Sequence, residues 1–308
     1  TEFGHAVTMS RSRTIAGPYE MHPQTPLLTS RDSLSLPIQR AGHADLVCTP
    51  QNEWYMVFLG SRPLPPNRRS VLGRESYINK MEWHEDGWLY PVAGGHHPTL
   101  LTPAPKGCAP APRKNRSKHY AFAPGELDMD FLSLRIPLDE TMLSLDARPG
   151  YLRLIGKDSP NSRFEQSLVA RRQQAFSYTA TTCLEFEPQS VKQFAGLMAI
   201  YDSDDFYYLN VTQNEQGEKA VDVMVMEHAA LSFPCQSIPI PRDAPCWLQA
   251  RVRGTSLQFY YSLDGQTYRA IGPALDQTKL SDEYSQQGAY TGAMVGLACS
   301  DMLTRRAC

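Results

Sequence analysis

No Cys-x-x-Cys pair occurs among the seven cysteines of this 308-residue chain (Cys48, Cys108, Cys183, Cys235, Cys246, Cys299 and Cys308), and their total is odd. That argues against a disulfide framework or a zinc site and predicts reduced, mostly packed thiols of the kind a cytosolic compartment maintains. Basic charge is not in excess either. Thirty Lys and Arg against 32 Asp and Glu leave a formal net charge of -2, so nothing draws the chain to phosphate backbones and no nucleic-acid partner is expected. A run of about 18 apolar residues is missing, which removes a membrane-spanning helix. No stretch longer than a few turns keeps a 3.6-residue apolar period, so a helical architecture is excluded. Position 1 is not a methionine, and the first residue is expected to fall inside a domain already under way.

What is present reads as β-structure. Short runs rich in Val, Ile, Tyr, Phe and Trp are separated by Gly, Pro, Asn and Asp turns. In the first third the clearest strand is Glu53-Trp54-Tyr55-Met56-Val57-Phe58-Leu59, with turns predicted at Ala16-Gly17-Pro18-Tyr19 and Glu85-Asp86-Gly87-Trp88. Residues 1–98 form one domain on this reading. Residues 99–119 form a linker, because Pro103, Pro105, Pro110 and Pro112 share it with Lys106, Arg113, Lys114 and Arg116 and with almost no β-branched residues. Residues 120–308 form a second domain. Strands are expected there at Leu184–Glu187, Gly196–Tyr201, Phe206–Val211 and Val221–Val225, and Asp264-Gly265 joins two more in a hairpin. About a dozen such strands suit a two-sheet sandwich.

Between Gly42 and Glu75 a histidine (Gly42-His43-Ala44-Asp45) precedes the clearest strand, an Arg-Pro turn follows it (Ser61-Arg62-Pro63-Leu64), and a polar element closes the run (Leu72-Gly73-Arg74-Glu75). This stretch resembles the last part of the catalytic domain of glycoside hydrolase family 43, the β-xylosidase and α-L-arabinofuranosidase type. Gly4-His5-Ala6-Val7-Thr8, Gly17-Pro18-Tyr19-Glu20 and His22-Pro23 are similar to an earlier blade of that family. Glu82-Trp83, Asp86-Gly87-Trp88 and Ala93-Gly94-Gly95 are similar to its final blade. The second half resembles the family's appended sandwich at Leu134-Arg135-Ile136-Pro137-Leu138, at Pro149-Gly150-Tyr151-Leu152-Arg153-Leu154 and at Phe164-Glu165-Gln166-Ser167. The resemblance implies an all-β chain: part of a five-bladed β-propeller followed by a concanavalin-like β-sandwich.

It also implies an inverting, exo-acting glycosidase on xylo-oligosaccharide or arabinosyl substrates, whose two catalytic carboxyl groups lie in earlier blades. Thr1 aligns just beyond the last of them. Glu2, Glu20, Asp32, Asp45, Glu75 and Asp86 occupy none of the family's catalytic motifs, so no catalytic residue is assigned here. By the resemblance, His43 points into the central channel and helps hold a hydrated calcium, Arg74 contacts the innermost sugar, Thr1 lines the same subsite, and Tyr290 reaches toward the leaving-group sugar. Without the resemblance, His43 reads as a strand-end histidine bonded to a carbonyl, Arg74 as a surface arginine paired with Glu75 or Glu82, and Tyr290 as a loop residue packed on its own domain. Phe58, where many relatives carry histidine, reads as core. A non-catalytic carbohydrate-binding module is the rival function, and the oligomeric state, a homo-oligomer included, is left open.

Overall fold

The computed structural model describes residues 4–109, 117–125, 127–288 and 290–304. Two compact units divide the chain, residues 1–116 and 117–308. In the first, two small antiparallel pairs precede the main sheet: β1 (Ala6–Val7) with β4 (Leu28–Thr29), and β2 (Ser10–Arg11) with β3 (Glu20–Met21). A four-stranded antiparallel meander follows, β5 (Gln39–Cys48), β6 (Trp54–Ser61), β7 (Glu75–Trp83) and β8 (Leu89–Pro91). The turn into β8 is the Asp86-Gly87 turn of the sequence. Gly87 takes a positive φ of 72° that an L side chain resists, and Asp86 accepts the Trp88 amide at 3.0 Å. Leu27, Leu28, Ala41, Met56, Phe58, Met81 and Leu89 bury one face of this unit. Phe58 is core, as its sequence context implied, and stacks on Tyr77.

Strand β5 is irregular where β6 is not. Its pairing runs from Gln39↔Ser61 to Gly42↔Leu59 and then to Asp45↔Val57, three steps along β5 for two along β6, twice over. Each mismatch is a one-residue β-bulge, which bends the strand and re-aims a side chain. Arg40 sits in the first with φ 56° and His43 in the second with φ 50°. Residues beyond β8 lie along this sheet. Tyr55 donates to the Pro103 carbonyl at 3.0 Å, the Lys80 amide to Thr102 Oγ1 at 2.9 Å, and the Lys106 amide to Glu53 Oε2 at 2.6 Å.

The second unit opens with a short pair, β9 (Leu143–Ser144) and β10 (Arg153–Leu154), and then builds two sheets. The larger contains β11 (Ser167–Arg172), β13 (Gln193–Asp202), β14 (Asp205–Gln213), β15 (Lys219–Glu227), β16 (Ala230–Ser232), β17 (Ile238–Pro239) and β21 (Met294–Asp301). The smaller contains β12 (Ser177–Leu184), β18 (Cys246–Arg253), β19 (Ser256–Ser262) and β20 (Arg269–Asp276). Tyr207, Leu209, Val221 and Val223 meet Leu248, Ala250, Val252 and Phe259 in the main core. The alternate residues of the same strands, Phe206, Tyr208, Met224 and Met226, fill a second cluster. This is why β14 carries the continuous apolar run Phe206–Leu209: both its faces are buried, each large side chain contributing about 1.5–3 kcal/mol. Gly296 permits the close pairing of β21, since a Cβ there would lie 2.3 Å from the Val169 carbonyl oxygen. Among the described residues the one helical element is a 3-10 turn, Gln277–Lys279, capped by Asp276.

The thiols depart from expectation in pairing and in exposure. Cys299, in β21, is disulfide-bonded, so the reading of wholly reduced cysteines is corrected there. An odd, widely spaced set of cysteines does not reveal which two the fold brings together. Cys48, Cys108, Cys183, Cys235 and Cys246 are free, and Cys48 and Cys108 are exposed rather than packed.

Candidate functional site

The bulged strand β5 organises the polar residues of the first unit. At the first bulge Arg40 turns inward, is buried, and donates from Nη1 to Ser61 Oγ at 3.0 Å and Ser70 Oγ at 2.8 Å. Its carbonyl meets Nδ1 of His5 at 3.1 Å. The His5 ring packs against Gly42, where an added Cβ would come within 2.6 Å of the imidazole. Thr29 fixes the other side of His5 by donating its hydroxyl to the His5 carbonyl at 2.7 Å. The pKa of His5 is lowered. Burial is the main cause, the Arg40 carbonyl opposes it, and the positive charges of Arg74 and His43 lower it further.

Three of the sequence landmarks therefore share one electrostatic neighbourhood: His5, His43 and Arg74. His43 is exposed, on a strained left-handed backbone. Arg74 is half-buried and follows Gly73, whose φ of 68° and amide bond to the Ser70 carbonyl at 2.9 Å make the turn into β7. Glu75 is held by Arg62 in a two-pronged pair at 2.8 and 2.7 Å and by the Tyr77 hydroxyl at 3.1 Å. A small pocket beside His5 is lined by Ser30, Arg31, Gln39, Arg40, Pro63 and Arg68. Thr1 lies outside the described residues. Tyr290 belongs to the second unit, on the loop before β21, with φ 54° and 62% of its surface exposed.

Sequence reasoning named His43 and Arg74 and passed over His5 and Arg40. The signal for His5 was its Gly4-His5 context. For Arg40 there was none, because a bulge is set by pairing with β6 and not by residue type.

His43 by itself does not make a calcium site: it offers an imidazole nitrogen, whereas calcium takes oxygen ligands. Among the described residues, the grouping able to hold a metal ion is a different one, Asp32 with His96 and His97. There the hydrogen bonds from His96 first and His97 second hold the Asp32 carboxyl down at about 2.

The two halves of the chain match known domains. Residues 1–89 match Glycosyl hydrolases family 43, and residues 119–307 match the Beta xylosidase C-terminal Concanavalin A-like domain. The chain belongs to glycoside hydrolase family 43. It is 41% identical to Xylosidase/arabinosidase 43B of Humicola insolens, over 98% of this chain and 57% of that protein. It is 38% identical to Xylan 1,3-beta-xylosidase of a Vibrio species, over 98% and 58%. The crystal structure of xylan beta-1,4-xylosidase from Bacillus halodurans superposes with a TM-score of 0.95 at 37% identity, covering 100% of this chain and 59% of that one. The chain thus spans somewhat over half the length of these relatives. As in them, the fold of this family 43 chain is part of a β-propeller joined to a concanavalin-like sandwich.

Proposed function

We propose that this chain is the sugar-binding part of an inverting, exo-acting β-xylosidase or α-L-arabinofuranosidase acting on xylo-oligosaccharides, and that the catalytic carboxyl pair is not among its residues. The observation that carries this reading is the convergence of His5, His43 and Arg74 around the bulges of β5, in a chain of this family. Arg74 donates to the innermost sugar, where a guanidinium offers parallel hydrogen bonds to vicinal hydroxyls. His43, re-aimed by its bulge, faces the same sugar. Tyr290 offers a ring to the leaving-group sugar. The relatives act on 1,3- and 1,4-linked xylan by their names, so the linkage is left to the pocket walls.

The carboxyls of the first unit support the second half of the proposal. Inverting hydrolysis needs an acid whose pKa is raised, paired with a base about 6.5–9.5 Å away. Asp32, Glu53 and Asp86 are shifted the opposite way, by hydrogen bonds to His96 and His97, to Lys80 and Lys106, and to Trp88 and Tyr90. Burial raises Asp205 and Asp222, but these belong to the sandwich, where Asp205 accepts the His228 amide at 2.9 Å.

The test is hydrolysis of aryl β-xyloside and aryl α-L-arabinofuranoside by the 308-residue chain. No rate above buffer is expected. A rate abolished by changing a carboxylate within the chain would overturn the assignment. In a longer enzyme that supplies the acid and base, Arg74→Ala should lower kcat/KM by about 2–4 kcal/mol.

A further inference from the structure

We propose that Asp32, His96 and His97 form a binding site for a divalent transition-metal ion of the zinc type. Nε2 of His96 lies 2.6 Å from one Asp32 oxygen and Nε2 of His97 lies 2.9 Å from the other. The three ligand atoms all fall within 4.8 Å of one another. Around a tetrahedral zinc with bonds of about 2.0–2.1 Å, neighbouring ligand atoms stand about 3.3 Å apart. The cluster is thus close to a coordination shell before any ion arrives, and partial exposure of all three side chains gives an ion access.

The donor chemistry selects the ion. Two imidazoles and one carboxylate suit zinc, copper or nickel and disfavour calcium and magnesium, which take oxygen. On binding, each imidazole carries its proton on Nδ1 and presents the Nε2 lone pair, and Asp32 gives up two hydrogen bonds for one metal bond. Three protein ligands leave a coordination position for water.

The backbone holds the histidines in place. Gly94 and Gly95, with φ 71° and 65°, turn the chain after β8. The Gln24 side chain bonds the Gly95 carbonyl, and the Thr29 amide at the end of β4 bonds the His96 carbonyl at 2.8 Å. A bound ion would therefore tie the turn after β4 to a segment 64 residues further along, and the fold would gain stability by mass action.

Zinc titration of the 308-residue chain by calorimetry, with cobalt absorption as the spectroscopic check, tests the site. One equivalent should bind and raise the melting temperature. Asp32→Asn and His97→Ala should each weaken binding by at least about 10–100-fold, the loss that even an outer-shell partner produces. His84→Ala, on an exposed histidine paired with Glu82, should bind as the wild type does. His97→Gln retains a donor to Asp32 without a ring nitrogen, so it should keep the zinc-free melting temperature and lose the zinc response. Equal zinc affinity in wild type and His97→Gln, or no stoichiometric binding, would reduce the cluster to hydrogen bonds alone and overturn the proposal.

Discussion

His43 holds a left-handed backbone at φ 50° in the middle of a strand, a conformation that costs a non-glycine residue on the order of 1 kcal/mol. Strain of this kind persists where the side chain is needed in that place. Replacing His43 with glycine should therefore stabilise the chain by about 0.5–1 kcal/mol, while alanine, which keeps the strain, should give no gain. Urea midpoints of the three proteins measure this, and a glycine variant less stable than wild type would mean that imidazole contacts repay the strain. No residue type around His43 signals it. Gly42 beside His43 serves a close approach, since a Cβ there would meet the His5 ring at 2.6 Å. The left-handed residue is nonetheless His43 and not its glycine neighbour. Arg40 was similarly hidden, because the partner strand that forces its conformation lies 21 residues away at Ser61.

At the scale of elements, Glu53 joins three pieces of chain: its own turn before β6, Lys80 of β7 at 2.5 Å and the Lys106 amide at 2.6 Å. Its pKa is lowered, first by the hydrogen bond from Lys80 and then by that from Lys106. A depressed carboxyl contributes stability that is complete above its unfolded pKa of about 4.3 and is lost as pH falls from there through the folded value. Wild type should lose melting temperature below about pH 4 more steeply than Glu53→Gln, and parallel curves would remove Glu53 from the account. In the sandwich, Gly296→Ala drives a methyl into the Val169 carbonyl and the Ala170 backbone. It should destabilise that unit by about 1–3 kcal/mol or more, read from chemical denaturation. Elements with a local signal were legible: β14, the Asp264-Gly265 hairpin with Gly265 at φ 71°, and the turn at Gly17 with φ 84°. At Leu184–Glu187 the expected strand lay too late, since β12 ends at Leu184. The Thr-rich, half-exposed stretch before it lacks the apolar weight that marks a strand.

The two units differ in how much apolar surface each can hide. The sandwich buries two clusters on the two faces of its larger sheet, and the meander buries one small cluster. Limited proteolysis should therefore cut residues 4–98 before the sandwich, and survival of the meander after loss of the sandwich would contradict that order. The all-β character and the two-sheet sandwich were readable from strand patterning and turn chemistry, and the propeller only from the family resemblance. The Asp32, His96 and His97 cluster was not, because a contact between residues 64 and 65 positions apart leaves no periodic trace.

The bulges of β5 come as a pair, and two extra residues return the strand to phase with β6 at Asp45. Loss of a single codon between those for Gln39 and Asp45 would heal one bulge and leave every later β6 partner in register. The blade would survive such a deletion. If the healed bulge were the second, the residue at the place of His43 would resume ordinary alternation and the imidazole would leave its post. Length variation in these few codons can thus separate the inheritance of the fold from the inheritance of the site.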